Sequence, residues 1–207
     1  MSDQSVNSIL STTGGVLFAA TLTDGIFRSD DGGKNWSQSN KGLIVRKVWS
    51  IEQDKHNVDN FLAGTQYGHL FSFANSGNQW EEVVGLYDAP NRNNWGIDWG
   101  FGTTGLTIHT IKSDPNKKDR FYIVASGNGT YRTDDYGKKW KLLKNGLPGS
   151  AHNCVIRDCL TNDNSSEPGV YFGTTTGEVY SSMDLGNTWK EIANNLPRIQ
   201  GVSVLGA

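Results

Sequence analysis

Thr133-Asp134-Asp135-Tyr136-Gly137-Lys138-Lys139-Trp140 is the stretch from which the architecture can be read. Its frame is a hydroxyl residue, an aspartate two positions on, a glycine two further and a tryptophan three beyond that. The same frame returns as Ser29-Asp30-Asp31-Gly32-Gly33-Lys34-Asn35-Trp36 and as Ser182-Met183-Asp184-Leu185-Gly186-Asn187-Thr188-Trp189. A degenerate copy runs from Phe73 through Asn75 and Gly77 to Trp80. The tryptophans are separated by 44, 60 and 49 residues, which defines a repeat unit with one insertion.

Working outward from each copy, the upstream segments also align. Thr21, Thr65, Ala125 and Thr174 fall at one position, followed by Asp24-Gly25, Gly68-His69, Asn128-Gly129 and Gly177-Glu178. The pairs Ile26-Phe27, Leu70-Phe71, Thr130-Tyr131 and Val179-Tyr180 come next. Each unit is thus a β-run, a tight glycine turn and a second β-run; Asp-Gly and Asn-Gly favour hairpins because a type I′ turn needs positive φ at both central residues. A further β-run precedes each hairpin (6–9, 48–51, 108–111, 156–159), and a short one follows each box tryptophan. Four strands, here termed A to D, in a unit of this length match one propeller blade. The expected fold is therefore all-β: four-stranded antiparallel blades at 5–40, 44–85, 106–146 and 153–195, with an insertion at 86–105 and a surplus terminal strand at 201–205.

Composition agrees with this and narrows the function classes. Glycine accounts for 25 of 207 residues and there are seven tryptophans, a profile suited to tight turns and a substantial core. The net charge of −2 offers no basic surface for nucleic acid or an anionic membrane. No apolar run is long enough for a spanning helix, and the N-terminus has no signal-like apolar core, so a cytoplasmic location is expected. Cys154 and Cys159, five apart on one expected strand, point to opposite faces and read as reduced thiols. The four histidines show no ligand spacing, so neither a metal nor a cofactor is expected.

The box frame resembles the Asp-box, or BNR, repeat of sialidases, sortilin-type receptors, photosystem II assembly factors and some xyloglucanases. The stretches 106–111 with Asp114-Pro115, 155–158 and 169–174 resemble a prokaryotic family of sialidase-like and glycosyl-hydrolase-like propellers with WD40/YVTN/BNR-like repeats. That resemblance implies a β-propeller and a glycosyl-hydrolase affiliation. Family members usually have six or more blades, so this chain reads as shortened by whole blades, either as a closed four-bladed ring or as an open arc.

The boxes read as structural turns rather than cation sites. Ser29, Thr133 and Ser182 with Asp31, Asp135 and Asp184 (Asn75 in the degenerate copy) would bond their own turn, as Asx turns do. Gly33, Gly77, Gly137 and Gly186 permit the bend, and Trp36, Trp80, Trp140 and Trp189 pack between blades. One carboxylate per turn cannot supply the six or more oxygens that calcium takes.

Strand alternation puts the boxes and A–B loops at one end, with the B–C turns and the insertion at the other. The insertion carries Asp88, Arg92, Trp95, Asp98 and Trp99, which read either as a carbohydrate-type ligand surface or as a loop anchored by its tryptophans. The A strands collect Asn7, Trp49, His109 and Arg157 on one face, either a channel-mouth site or channel filling. No sialidase set is identifiable: Arg28, Arg132 and Arg120 belong to the box end, and Arg198-Ile199-Gln200 lacks the proline of the usual arginine motif. Asp88, Asp98 and Asp158 are the only acids available for a two-carboxylate glycosidase. Two functions stand: a scaffold that binds a carbohydrate or a protein partner, and a glycoside hydrolase sited on the insertion face. The unpaired terminal strand offers a route to self-association.

Overall fold

The structure, a computed structural model, describes residues 5–74, 78–95, 107–125, 129–149, 155 and 158–205. Among them, sixteen strands form four antiparallel sheets of four, each a meander with neighbours in chain order. The first sheet holds β1 (Val6–Ser11), β2 (Leu17–Thr21), β3 (Ile26–Ser29) and β4 (Ser37–Gln38). The second holds β5 (Val48–Gln53), β6 (Asn60–Thr65), β7 (Leu70–Ala74) and β8 (Gln79–Glu82). The third holds β9 (Ile108–Ser113), β10 (Phe121–Ala125), β11 (Gly129–Thr133) and β12 (Lys141–Leu142). The fourth holds β13 (Leu160–Asn162), β14 (Val170–Gly173), β15 (Val179–Ser182) and β16 (Lys190–Ala193).

The burial of each strand follows from its place in the stack. In β10, Phe-Tyr-Ile-Val-Ala is buried at every residue, because a neighbouring sheet covers each face. Such a strand shows no apolar–polar alternation. In β1, at one end of the stack, no residue is fully buried. Three cores alternate with the sheets. Phe18, Ile26, Ile51, Phe61, Phe73 and Trp80 join the first blade to the second. Leu62, Leu70, Ile108, Ile123, Tyr131 and Trp140 join the second to the third. Tyr122, Val124, Leu160, Phe172, Tyr180 and Trp189 join the third to the fourth. The sheets do not close into a ring; the molecule is an open arc.

Three of the four innermost strands carry the same irregularity. Val6 pairs with Thr21 and Ser8 with Ala20, leaving Asn7 outside the ladder. Trp49 is extruded in the same way between the pairs Val48–Thr65 and Ser50–Gly64, and His109 between Ile108–Ala125 and Thr110–Val124. These are β-bulges, which re-aim one side chain and sharpen the local twist. In the fourth blade Leu160 opposes Phe172, as Ile111 opposes Ile123. That register corrects one expectation: Leu160, rather than Cys159, stands level with Ile111, and the described strand runs over Leu160–Asn162. Arg157 itself lies outside the described residues.

The segment expected as a strand at 201–205 makes one parallel bridge, between Gly201 and Asp158, and forms no strand. It is held on its own blade by Leu196 N–H to Gly177 O (3.1 Å), Ile199 N–H to Thr174 O (3.2 Å) and Val202 N–H to Asp158 O (2.9 Å).

Candidate functional site

The two ends of the arc are chemically distinct. At the box end, Arg120 of an A–B loop donates through Nε to the box residue Asp134 at 2.5 Å, and Arg132 reaches the same carboxylate. Arg28 forms a fork on Asp30. These three arginines are therefore engaged with box carboxylates. Within the boxes, Gly33, Gly137 and Gly186 donate N–H to the hydroxyls of Ser29, Thr133 and Ser182 at 2.8–2.9 Å. Those hydroxyls in turn donate to Asp31, Asp135 and Asp184. Asn75 and Gly77 of the degenerate copy lie outside the described residues. Among the described residues, no group of three histidines, cysteines, aspartates or glutamates is placed to hold a metal ion.

In the first box, the N–H of Asn35, its side-chain amide and the Ser29 hydroxyl hold the Asp31 carboxyl down at about 2. A carboxylate depressed in the folded state stabilises fully above the unfolded pKa and loses that contribution as pH falls through the folded one. Melting temperatures of the wild type and Asp31→Asn are therefore expected to differ most near neutrality and to converge towards pH 2. A gap that persists at pH 2 would refute the ionic part of this account.

At the opposite end, side chains distant in sequence converge. His69, just past the β6–β7 turn, lies with Nδ1 2.5 Å from Glu82 Oε1, at the end of β8. Tyr87, in a short 3-10 turn over Val84–Asp88, donates its hydroxyl to the same oxygen at 2.5 Å and lies 2.9 Å from His69 Nδ1. Burial opposes the charge on Glu82, but the hydrogen bonds from His69 and Tyr87 outweigh it and hold the carboxyl below its usual range. Burial first, and then the Glu82 carboxylate, push the Tyr87 hydroxyl up to about 12. The cluster is thus an ionised carboxylate carrying two fixed donors.

Two tyrosines are exposed at this end. Tyr87 is 44% exposed. Tyr67 is 55% exposed and sits in the turn that leads to His69, where Tyr67 (φ 65°) and Gly68 (φ 69°) are consecutive left-handed residues. Arg92 lies beneath, its guanidinium 4.5 Å from the Trp95 ring centre and 5.5 Å from that of Tyr87, with Nη2 3.4 Å from Gly68 O.

The residues expected as ligand contacts divide. Arg92 belongs to this cluster, and Asp88 is exposed beside it. Trp95 is an anchor: its indole N–H donates to the Tyr131 hydroxyl at 2.8 Å, Tyr131 donates to Pro90 O, and the connector also buries Leu86 and Ala89 in the core between the second and third blades. Asp98 and Trp99 lie outside the described residues. Asn7, Trp49 and His109 lie on the inner edge of the arc. There Asn7 Nδ2 donates to Val48 O at 2.8 Å, and the Trp49 and His109 rings meet edge to face at 5.3 Å. His69, Glu82, Tyr67 and Tyr87 were not singled out from the sequence. The signal available was hairpin register: Phe71 pairs with Glu82, which places His69 close to it across the ladder. Cys159 is buried and reduced, with Sγ 3.5 Å from Ile199 O, and Cys154 lies outside the described residues.

Comparison with known proteins fits this architecture. Residues 26–39 match the BNR-Asp box repeat model. A probable oligoxyloglucan-reducing end-specific xyloglucanase of Neosartorya fischeri is 25% identical over 193 residues, covering 87% of this chain and 21% of that protein. Among solved structures, the GH74 xyloglucanase of Xanthomonas campestris superposes with a TM-score of 0.68 at 18% identity, covering 93% of this chain and 31% of that one. An auxiliary nutrient binding protein of Bacteroides thetaiotaomicron superposes with a TM-score of 0.62 at 10% identity, covering 95% and 44%. The chain therefore spans about a fifth of the curated relative and less than half of either solved protein. The box frames, the BNR match and the four meander blades agree in giving the chain Asp-box repeats and an all-β, propeller-type architecture.

Proposed function

We propose that the chain is a carbohydrate-binding scaffold whose ligand surface is the end opposite the boxes, built from Glu82, His69, Tyr87, Arg92 and Tyr67. A protein partner is the reading this sets aside. One observation carries it: an ionised carboxylate with two fixed donors stands at an end that exposes two tyrosines, Tyr87 bonded to it and Tyr67 in the turn that leads to His69. Sugars present adjacent hydroxyls, which a carboxylate accepts strongly, together with apolar C–H faces that stack on aromatic rings. The xyloglucanase relative makes xyloglucan fragments and other β-glucan oligosaccharides the first ligands to try.

Binding rather than hydrolysis is favoured by the state of Glu82. Its hydrogen bonds keep it deprotonated, so it is fit to accept and unfit to serve as a general acid near neutrality. A two-carboxylate glycosidase also needs a partner acid roughly 5–9.5 Å away. Of the acids expected for that role, Asp88 is exposed on the connector and Asp98 lies outside the described residues.

Isothermal titration with xylogluco-oligosaccharides tests this reading alongside a reducing-sugar assay. Glu82→Gln is expected to weaken binding tenfold or more, since a hydrogen bond to a charged group contributes roughly 1.5–3 kcal/mol. Tyr67→Ala, altering an exposed ring, is expected to weaken it several-fold without changing the melting temperature. Binding by the wild type should persist on acidification to below the ordinary glutamate range. Undiminished binding in both variants would remove the site from this end, and sugar release abolished by Glu82→Gln would make the chain a hydrolase.

A further inference from the structure

The overall charge of −2 averages over unlike blades. The third blade, 106–146, holds seven lysines and two arginines against four aspartates and no glutamate, whereas the remainder of the chain has ten basic residues to seventeen acidic ones. Most of the acid in that blade is engaged internally. Asp114 is buried and accepts the N–H groups of Asn116 and Lys117, each at 2.9 Å. Asp134 takes Arg120 at 2.5 Å and Arg132 at 2.9 Å, which commits both arginines as well. Asp135 accepts the Thr133 hydroxyl and the Lys139 N–H inside its own box turn. Asp119 is the fourth acid.

Four lysines are left over. Lys117 and Lys118 lie in the loop between β9 and β10, and Lys138 and Lys139 in the box between β11 and β12. All four are exposed, and among the described residues none of them forms an ion pair. The two loops adjoin: the Tyr136 N–H donates to Asp119 O at 2.9 Å, and the Arg120–Asp134 pair ties them again. On its other side the first loop is pinned by Asn116 Nδ2, which donates to Ser165 O at 2.6 Å. Fixed loops thus gather four ammonium groups at the box end of one blade. That blade is packed on both faces, and its lysines are exposed with both neighbours in place.

We propose that the box end of the third blade binds an acidic polysaccharide, a single chain bearing carboxylates along its length, at a surface separate from the Glu82 site. The choice of a sugar polymer rests on the carbohydrate-binding reading above. Lysine suits such a ligand, because a mobile point charge meets carboxylates at varied spacing where arginine imposes one bidentate geometry. Other polyanions fit less well. The flanking blades are acidic, with five acids to three bases over 44–85 and six to two over 153–195, so the positive excess is confined to one blade. A flat anionic membrane or a nucleic-acid duplex would overlap those flanks, whereas a single polymer chain can follow the basic blade. Single-stranded nucleic acid needs rings on which its bases stack, and the rings beside these lysines are withdrawn, Trp140 buried and Tyr136 half-buried.

Titration of the whole chain with polygalacturonate, and with its methyl ester as the uncharged match, tests this. Polygalacturonate is expected to bind at low salt and at least tenfold more weakly at high salt, since exposed charges are screened. The methyl ester is expected not to bind at this end. Lys117→Glu with Lys118→Glu, and Lys138→Glu with Lys139→Glu, should each weaken polygalacturonate binding at least tenfold with melting unchanged. Lys34→Glu with Lys41→Glu makes an equal change in net charge at exposed positions of the first blade, and should alter binding less than twofold. Glu82→Gln should also leave it unchanged, so this surface and the Glu82 site can fail separately. No binding at low salt, an equal loss in the first-blade variant, or indifference to both third-blade variants would overturn the proposal. Tighter binding of oligonucleotides, polyglutamate or phosphatidylserine vesicles would overturn it too, by naming a different partner.

Discussion

Gly42→Ala is expected to lower the melting temperature by about 10 °C, while Gly32→Ala lowers it by only a few degrees. Both glycines have left-handed backbones, with φ of 81° and 73°, so both substitutions carry the roughly 1–2 kcal/mol that an L-residue loses there. Only Gly42 adds a collision. A Cβ at Gly42 would lie 2.1 Å from the backbone oxygen of Trp80, whereas at Gly32 nothing lies within 4 Å. The obstructing atom is main chain and cannot rotate away. Next to it, the Trp80 N–H donates to Lys41 O at 2.8 Å, stitching the first blade to the second. Relief of the collision must stretch that bond and part the core behind it, and overpacking of this kind costs about 1–3 kcal/mol more. With a total near 3–4 kcal/mol and roughly 2–4 °C per kcal/mol for a domain of this size, the shift follows. Parallel melting curves decide the matter; equal shifts for the two variants would show that close approach at the joint contributes nothing.

That joint also marks the boundary of what sequence reading reached. The box frame and the glycine hairpins were legible because turn chemistry is local: an Asx-type turn and a left-handed glycine each need particular residues at fixed offsets. The innermost strands were less so. A bulge adds a residue without altering composition, and alignment by apolar pattern put Cys159 level with Ile111 where the ladder puts Leu160. The candidate site was legible in part. Arg92 stood out in a polar insertion, but the insertion's tryptophans looked alike as ligand platforms. The bond from Trp95 to Tyr131, 36 residues away, is what makes an anchor of Trp95. His69, Glu82 and Tyr87 gave no motif, because their meeting depends on hairpin register and on the 3-10 turn that folds Tyr87 back over β8. Pairings of that kind are set by tertiary geometry.

The box tryptophans provide the sharpest test of the open arc, because one sequence position occurs in two environments. Trp80 is 2% exposed; it packs on Phe73 at 5.2 Å between ring centres, and its indole N–H donates to Ser39 O in the neighbouring blade at 2.8 Å. Trp80→Ala is expected to cost about 3–5 kcal/mol through lost burial and the cavity left behind. The stranded Ser39 carbonyl adds to that loss. Against a total stability of roughly 5–15 kcal/mol this leaves a variant close to unfolding at physiological temperature. Trp36 holds the same place in the first box, but it is half-buried on the outer face and its indole N–H bonds only to Gly33 O of its own turn, at 3.0 Å. In dilute solution Trp36→Ala should therefore cost about 1–2 kcal/mol, near the lower end for an interior aliphatic truncation. Denaturant titrations at low protein concentration measure both values, and equal losses would mean that the first blade's outer face is covered within a single chain.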